Sequence, residues 1–148
     1  MRTAQVRRDV KSWLEDDDEI QSFIDADGIR PMAVGPDEST NPQLSLGVNH
    51  DSTQRNNTGE RTTYNVRIIT SGSFAWAKSP VEDGEDPRID QLEQLRDRVV
   101  TVLTTKRKGW IDPRVTSDGE ILPLEQVNSY AGETVITAER TDRHPYDD

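Results

Sequence analysis

A chain of 148 residues with 28 Asp and Glu against 18 Lys and Arg has the size of one domain and a formal net charge of -10. That balance argues against holding duplex nucleic acid by bulk charge, which needs Lys and Arg to displace phosphate counterions. The absence of Cys excludes a disulfide framework, a thiolate nucleophile and Cys-ligated zinc or iron–sulfur centres. No apolar run approaches the length of about 20 residues that spans a bilayer, and none reads as a signal-peptide core, so no membrane partner is expected.

Ile, Leu, Val and Phe make up 31 residues, or 21%, at the border of compositions that stay disordered. Arg outnumbers Lys 14 to 4, Asp outnumbers Glu 17 to 11, and Thr occurs 14 times. A Lys-poor, Asp-rich chain fits adaptation to molar salt, where the Debye length is about 3 Å and self-repulsion is screened.

Periodicity predicts a folded chain. Val6, Val10, Trp13 and Leu14 share one helical face, predicting a helix from Thr3 to Glu15. Asp16 to Glu19 can open a second short helix with Ile20, Phe23 and Ile24, because carboxylates suit the positive end of the dipole. Asp27-Gly28 reads as a turn and Ile29 to Val34 as a strand. Pro36 to Pro42 reads as loop, and Leu44, Leu46 and Val48 alternate as a half-buried strand. Residues 51–60 hold no apolar side chain and read as a mobile loop tip, joining that strand to a second with Tyr64, Val66 and Ile68 on one face. Ser73 to Lys78 reads as further strand, and Val81 to Asp86 as an acidic loop.

The longest predicted helix follows, with Asp86 as N-cap, Pro87 at the first helical position and Gly109 as its end. Ile89, Leu92, Leu95, Val99, Val102 and Leu103 form its apolar stripe. Turns are expected at Asp112-Pro113 and Asp118-Gly119, then strands Ile121 to Tyr130 and Thr134 to Arg140 joined by a tight hairpin at Ala131-Gly132. Residues 141–148 read as a loose tail. The order predicts one α+β domain over residues 1–148. Its twisted antiparallel sheet would carry the long central helix across one face, with an N-terminal helix beside it.

No nucleophile elbow, phosphate loop or His-Glu-x-x-His motif occurs, so no catalytic, cofactor or metal residues are assigned and an enzyme is not expected. His50 and His144 both fall in polar segments. Near Gly28 a calcium loop would need Glu where Val34 stands, and near Gly119 its first ligand position is Arg114. Asn56-Asn57-Thr58 is a formal glycosylation sequon that reads as an ordinary polar loop. Lys106, Arg107 and Lys108 are the only run of three basic residues and complement a helix C-terminus, or meet an acidic neighbour. Trp13 reads as core. Phe74, Trp76 and Trp110 lie near element ends, where aromatic rings serve either the core or an interface.

The layout adds specificity: an N-terminal helix ending in Leu14-Glu15-Asp16-Asp17-Asp18, a strand with Pro31, and a hairpin arm from Thr62 to Thr70. The central helix from Pro87 to Leu103 and a final strand from Glu133 to Arg140 follow. Over nearly its whole length this resembles the tail terminator and tail-completion proteins of long-tailed viruses of the phage lambda type, and the composition points to a virus of halophilic archaea. The resemblance rests on layout and hydrophobic pattern and carries over no individual residue. It implies a virion protein assembled in the host cytoplasm. It implies a homo-oligomer, typically a hexameric ring, contacting the tail tube protein and a neck or connector protein, with DNA passing its lumen without specific binding. The alternatives are another head–tail connector subunit and a non-viral halophilic cytosolic binding domain.

Overall fold

The computed structural model describes residues 2–34, 41–56, 59–78 and 88–143. Among the described residues the fold is α+β, with four helices and a six-stranded mixed sheet. Helix α1 (Arg2–Glu15) buries Val6, Val10 and Leu14, the face its spacing predicts. Asp17 then starts α2 (Asp18–Gln21) by accepting a hydrogen bond from the Ile20 N–H at 3.0 Å. The acidic run therefore supplies a cap as well as charge suited to the dipole.

Strand β1 (Ile29–Pro31) is shorter than expected, because the Val34 N–H closes a turn on the Pro31 carbonyl at 3.0 Å. It lies parallel to β2 (Gln43–Asn56), pairing Ile29 with Leu44 and Pro31 with Leu46. This corrects the wholly antiparallel sheet. A tight turn would force antiparallel pairing, whereas residues 32–42 are enough chain to return before pairing.

β2 and β3 (Gly59–Ser73) form the long antiparallel hairpin, in register from Gln43 opposite Ser71 to Asn56 opposite Gly59. The polar stretch expected as a loop tip is mostly strand, and only Asn57 and Thr58 between the arms lie outside the described residues. Backbone pairing needs no apolar side chain, and a bulge between His50 and Ser52 lets the ladder continue.

Ser73 to Lys78 does not continue as strand. Phe74–Lys78 is a short helix, α3, because the Ser73 hydroxyl accepts from the Trp76 N–H at 3.1 Å and caps it. Helix α4 (Arg88–Thr104) follows, about 25 Å long at 1.5 Å per residue. It buries Leu92, Leu95, Val99, Val102 and Leu103, the predicted stripe. Asp86, Pro87 and the acidic stretch from Val81 lie outside the described residues. α4 ends before Lys106, where the Thr104 and Thr105 hydroxyls donate back to the Val100 and Thr101 carbonyls at 2.7 and 2.6 Å.

The end of the chain departs most from expectation. β4 (Ile111–Asp118) runs through Asp112-Pro113 as a bulge, with Asp112 at a φ of 50°. β5 (Leu122–Leu124) is three residues long. A 3-10 turn over Glu125–Val127 then reverses the chain through Asn128, at a φ of 49°. β6 (Ser129–Arg143) passes straight through Ala131-Gly132, so the hairpin expected there does not exist. Gly132 serves close approach instead: a Cβ on it would lie 2.9 Å from Ile121 Cγ1 and 3.1 Å from the Glu120 carbonyl. Thr141 to Arg143 of the expected tail belong to β6, and residues 144–148, His144 included, lie outside the described residues.

The sheet order is β1-β2-β3-β6-β4, with β5 also beside β6. Leu44, Leu46, Tyr64, Val66, Ile68 and Ile136 of the sheet share one core cluster with Val6, Val10 and Leu14 of α1 and with Leu95, Val99, Val102 and Leu103 of α4. A second cluster joins Trp76 to Leu92 and Ile121. Arg98 ties α4 to the α1–α2 corner, its Nη2 and Nε donating to the two Asp17 carboxylate oxygens at 2.7 and 3.0 Å. That hydrogen bonding from Arg98, helped by the Ile20 N–H, holds the Asp17 carboxyl below its ordinary range despite partial burial.

Two outcomes follow. Ala at Gly72 would place its Cβ 2.6 Å from two Trp76 ring carbons. Gly72→Ala is therefore expected to lower stability by about 1–3 kcal/mol in denaturant titrations; an unchanged midpoint contradicts this packing. Removing the cap by Asp17→Ala should cost about 1 kcal/mol. Because the folded-state pKa of Asp17 is lowered, its ionised form stabilises the fold above the ordinary carboxylate range, and that contribution is lost as pH falls through the lowered value. Asp17→Asn keeps a capping oxygen, so it should chiefly flatten the acid side of the stability profile.

Candidate interaction surfaces

Of the six residues expected at an interface, two lie in the core. Trp110 is 2% exposed, its Nε1 donates to the Leu103 carbonyl at 2.7 Å, and its ring meets Trp13 edge-on at 5.3 Å. Trp76 is 5% exposed beneath the Arg88 guanidinium. Phe74 is half-buried edge-on to Tyr130. The three basic residues lie beyond α4 rather than in its last turn. Arg107 folds back, its guanidinium 4.8 Å from the Trp13 ring centre and donating to the Val102 carbonyl at 3.1 Å. Arg107 and Trp110 thus satisfy carbonyls at the end of α4, while Lys106 and Lys108 remain exposed.

Three further surfaces stand out. The first is a cleft of about 250 Å³ between α1 and β1. Arg7, Arg8, Lys11 and Arg30 line it, over apolar Ile29, Pro31 and Leu46. Four cations around one cleft stand out in a chain of net charge -10. In the sequence, Arg7, Arg8 and Lys11 read only as the solvated side of a helix; Arg30, 19 residues beyond Lys11, joins them through the parallel β1–β2 pair.

The second surface is the opposite edge of the sheet. Val115, Leu122, Leu124 and Val127, each at least 40% exposed, are four of the five exposed large apolar side chains among the described residues. All four lie on β4, on β5 or in the 3-10 turn after it. From Gly119 to Gly132 the chain carries Glu120 and Glu125 and no Lys or Arg.

The third surface is the polar end of the sheet, where residues 51–56, 59–63 and 139–143 pair as three strands without one apolar side chain. In sequence these segments carry four acidic and four basic residues. Arg61 meets Glu139 at 3.0 Å, and Arg140 reaches Asp9 of α1 at 2.6 Å. His50 is exposed on β2 opposite Tyr64. Among the described residues no group of three or more His, Asp or Glu is placed to hold a metal ion. No described helix is long and apolar enough to cross a membrane.

No protein-family model matches the chain, and no curated protein matches its sequence. Its fold is similar to that of a chain in the solved structure described as the virion of a native gene transfer agent particle. The TM-score is 0.60 at 14% sequence identity, over 90% of this chain and 92% of that one. At that identity the likeness is one of fold.

Proposed function

We propose that this chain is a structural, non-enzymatic protein of a tailed virus-like particle, and specifically a tail terminator. Copies form a closed ring, hexameric by the resemblance, that caps the tail tube and joins it to the neck. The observation that carries this reading is the fold likeness to a virion-particle chain, which spans nearly all of both chains. The sequence layout supports the same reading independently of that comparison.

The surfaces fit such a role. Bare sheet edges and exposed apolar side chains suit contact between protein subunits. The polar end of the sheet holds together by backbone pairing, so it can extend past the apolar core into solvent. DNA passing the lumen of a ring with net charge -10 per copy meets repulsion rather than adhesion. The Arg-over-Lys and Asp-over-Glu bias fits a particle in molar salt, where that repulsion is short-ranged.

The test is a capping assay. The purified chain, added to the polymerising tube protein of the same particle, is expected to stop growth and to label one tube end. Labelling of the head-side connector with no effect on tube length contradicts the terminator role and assigns the chain to the connector. Transfer from several molar salt to dilute buffer is expected to dissociate or unfold the assembly; full retention contradicts the salt adaptation.

A further inference from the structure

We propose that neighbouring copies meet head to tail, the β4–β5 edge of one seated in the α1–β1 cleft of the next. The proposal deepens the ring reading above and rests on it. Its basis is a match between two surfaces at opposite ends of one sheet. β1 closes one end of the strand order, and β4 with β5 closes the other. Four strand spacings of about 4.8 Å put the two edges roughly 19 Å apart in the pairing direction.

The chemistry of the two surfaces is complementary. The cleft is lined by four cations together with Ile29, Pro31 and Leu46. The edge offers Leu122, Leu124 and Val127 with the carboxylates of Glu120 and Glu125 among them. Arg7 and Lys11 are exposed and make no ion pair among the described residues, and the same holds for Glu120 and Glu125. All four can therefore form new pairs without breaking old ones. Contact pairs closed off from water by the docked leucines are screened less than open surface pairs, so they tolerate high salt better.

Two other occupants fit less well. Edge against edge would set Glu120 and Glu125 against their own copies. A phosphodiester chain would satisfy the cations but leave the exposed Leu122, Leu124 and Val127 of the other edge uncovered. A contact between two different patches is heterologous, which is the kind that closes a cyclic ring.

The test uses two full-length variants with exposed substitutions, each checked for native circular dichroism. One reverses the cleft (Arg7→Glu with Lys11→Glu); the other spoils the edge (Leu122→Asp with Leu124→Asp). Sedimentation is run on the parent, each variant and their mixture. The parent is expected to assemble. Each variant alone should be monomeric, its dissociation constant raised at least tenfold. The equimolar mixture should give a 1:1 dimer and stop there, because each mixed pair retains one competent cleft and one competent edge. A mixture that stays monomeric, or a cleft variant that assembles like the parent, overturns the head-to-tail contact while leaving the ring reading standing. A parent that binds an oligonucleotide through the cleft, with assembly indifferent to Arg7→Glu and Lys11→Glu, assigns the cleft to phosphate and also overturns it. A parent that is monomeric at every concentration overturns the ring reading itself.

Discussion

The pairing of β3 with β6 runs unbroken from Gly59 opposite Arg143 to Ser73 opposite Ser129, and the other elements are placed by it. β3 is held on both sides, by β2 and by β6, so its alternation sets which side chains of three strands point inward. Tyr64, Val66 and Ile68 face the core; their neighbours Asn65 and Arg67 pair with Asn49, Thr137 and Glu133 on the other side. A slip of one residue would bury Arg67 and expose Ile68, so the register is firmly specified.

That ladder also explains how a chain with so few large apolar residues folds. The core is concentrated in one cluster that buried side chains of α1 and α4 share with those of β2, β3 and β6. Beyond that, from Asp51 and Glu139 onward, strand length is sustained by backbone hydrogen bonds and by the cross-strand pair of Arg61 with Glu139. Strands continuing past their core give the molecule long polar edges, and a subunit of an assembly has use for edges that a solitary domain would hide.

Much of the fold is legible in the residues. The apolar spacing of α1 and α4 and the alternation of β2 and β3 name most of the core correctly. The departures have local physical causes. Polar composition hid the strand pairing of 51–56, because backbone ladders leave no hydrophobic trace. Alternation of Phe74 and Trp76 imitated a strand, but the Ser73 hydroxyl caps a helix. Gly132 looked like a turn glycine, yet its missing Cβ makes room for Ile121. The parallel pairing of β1 with β2 joins residues 15 apart in sequence, Ile29 with Leu44, which no local pattern encodes. For the same reason the basic cleft is invisible in the sequence: Arg30 joins Arg7, Arg8 and Lys11 only in the folded chain.

In the proposed ring this chain is one unit of a closed assembly rather than a self-sufficient domain, with cations gathered at one sheet edge and exposed apolar side chains at the other. The most direct measurement is the mass of the full-length chain in several molar salt across a wide concentration range. A closed ring gives one dominant species, a fixed integer multiple of the 16.7 kDa chain, that does not grow as concentration rises. A monomer throughout, or open-ended growth without a limiting size, would contradict it.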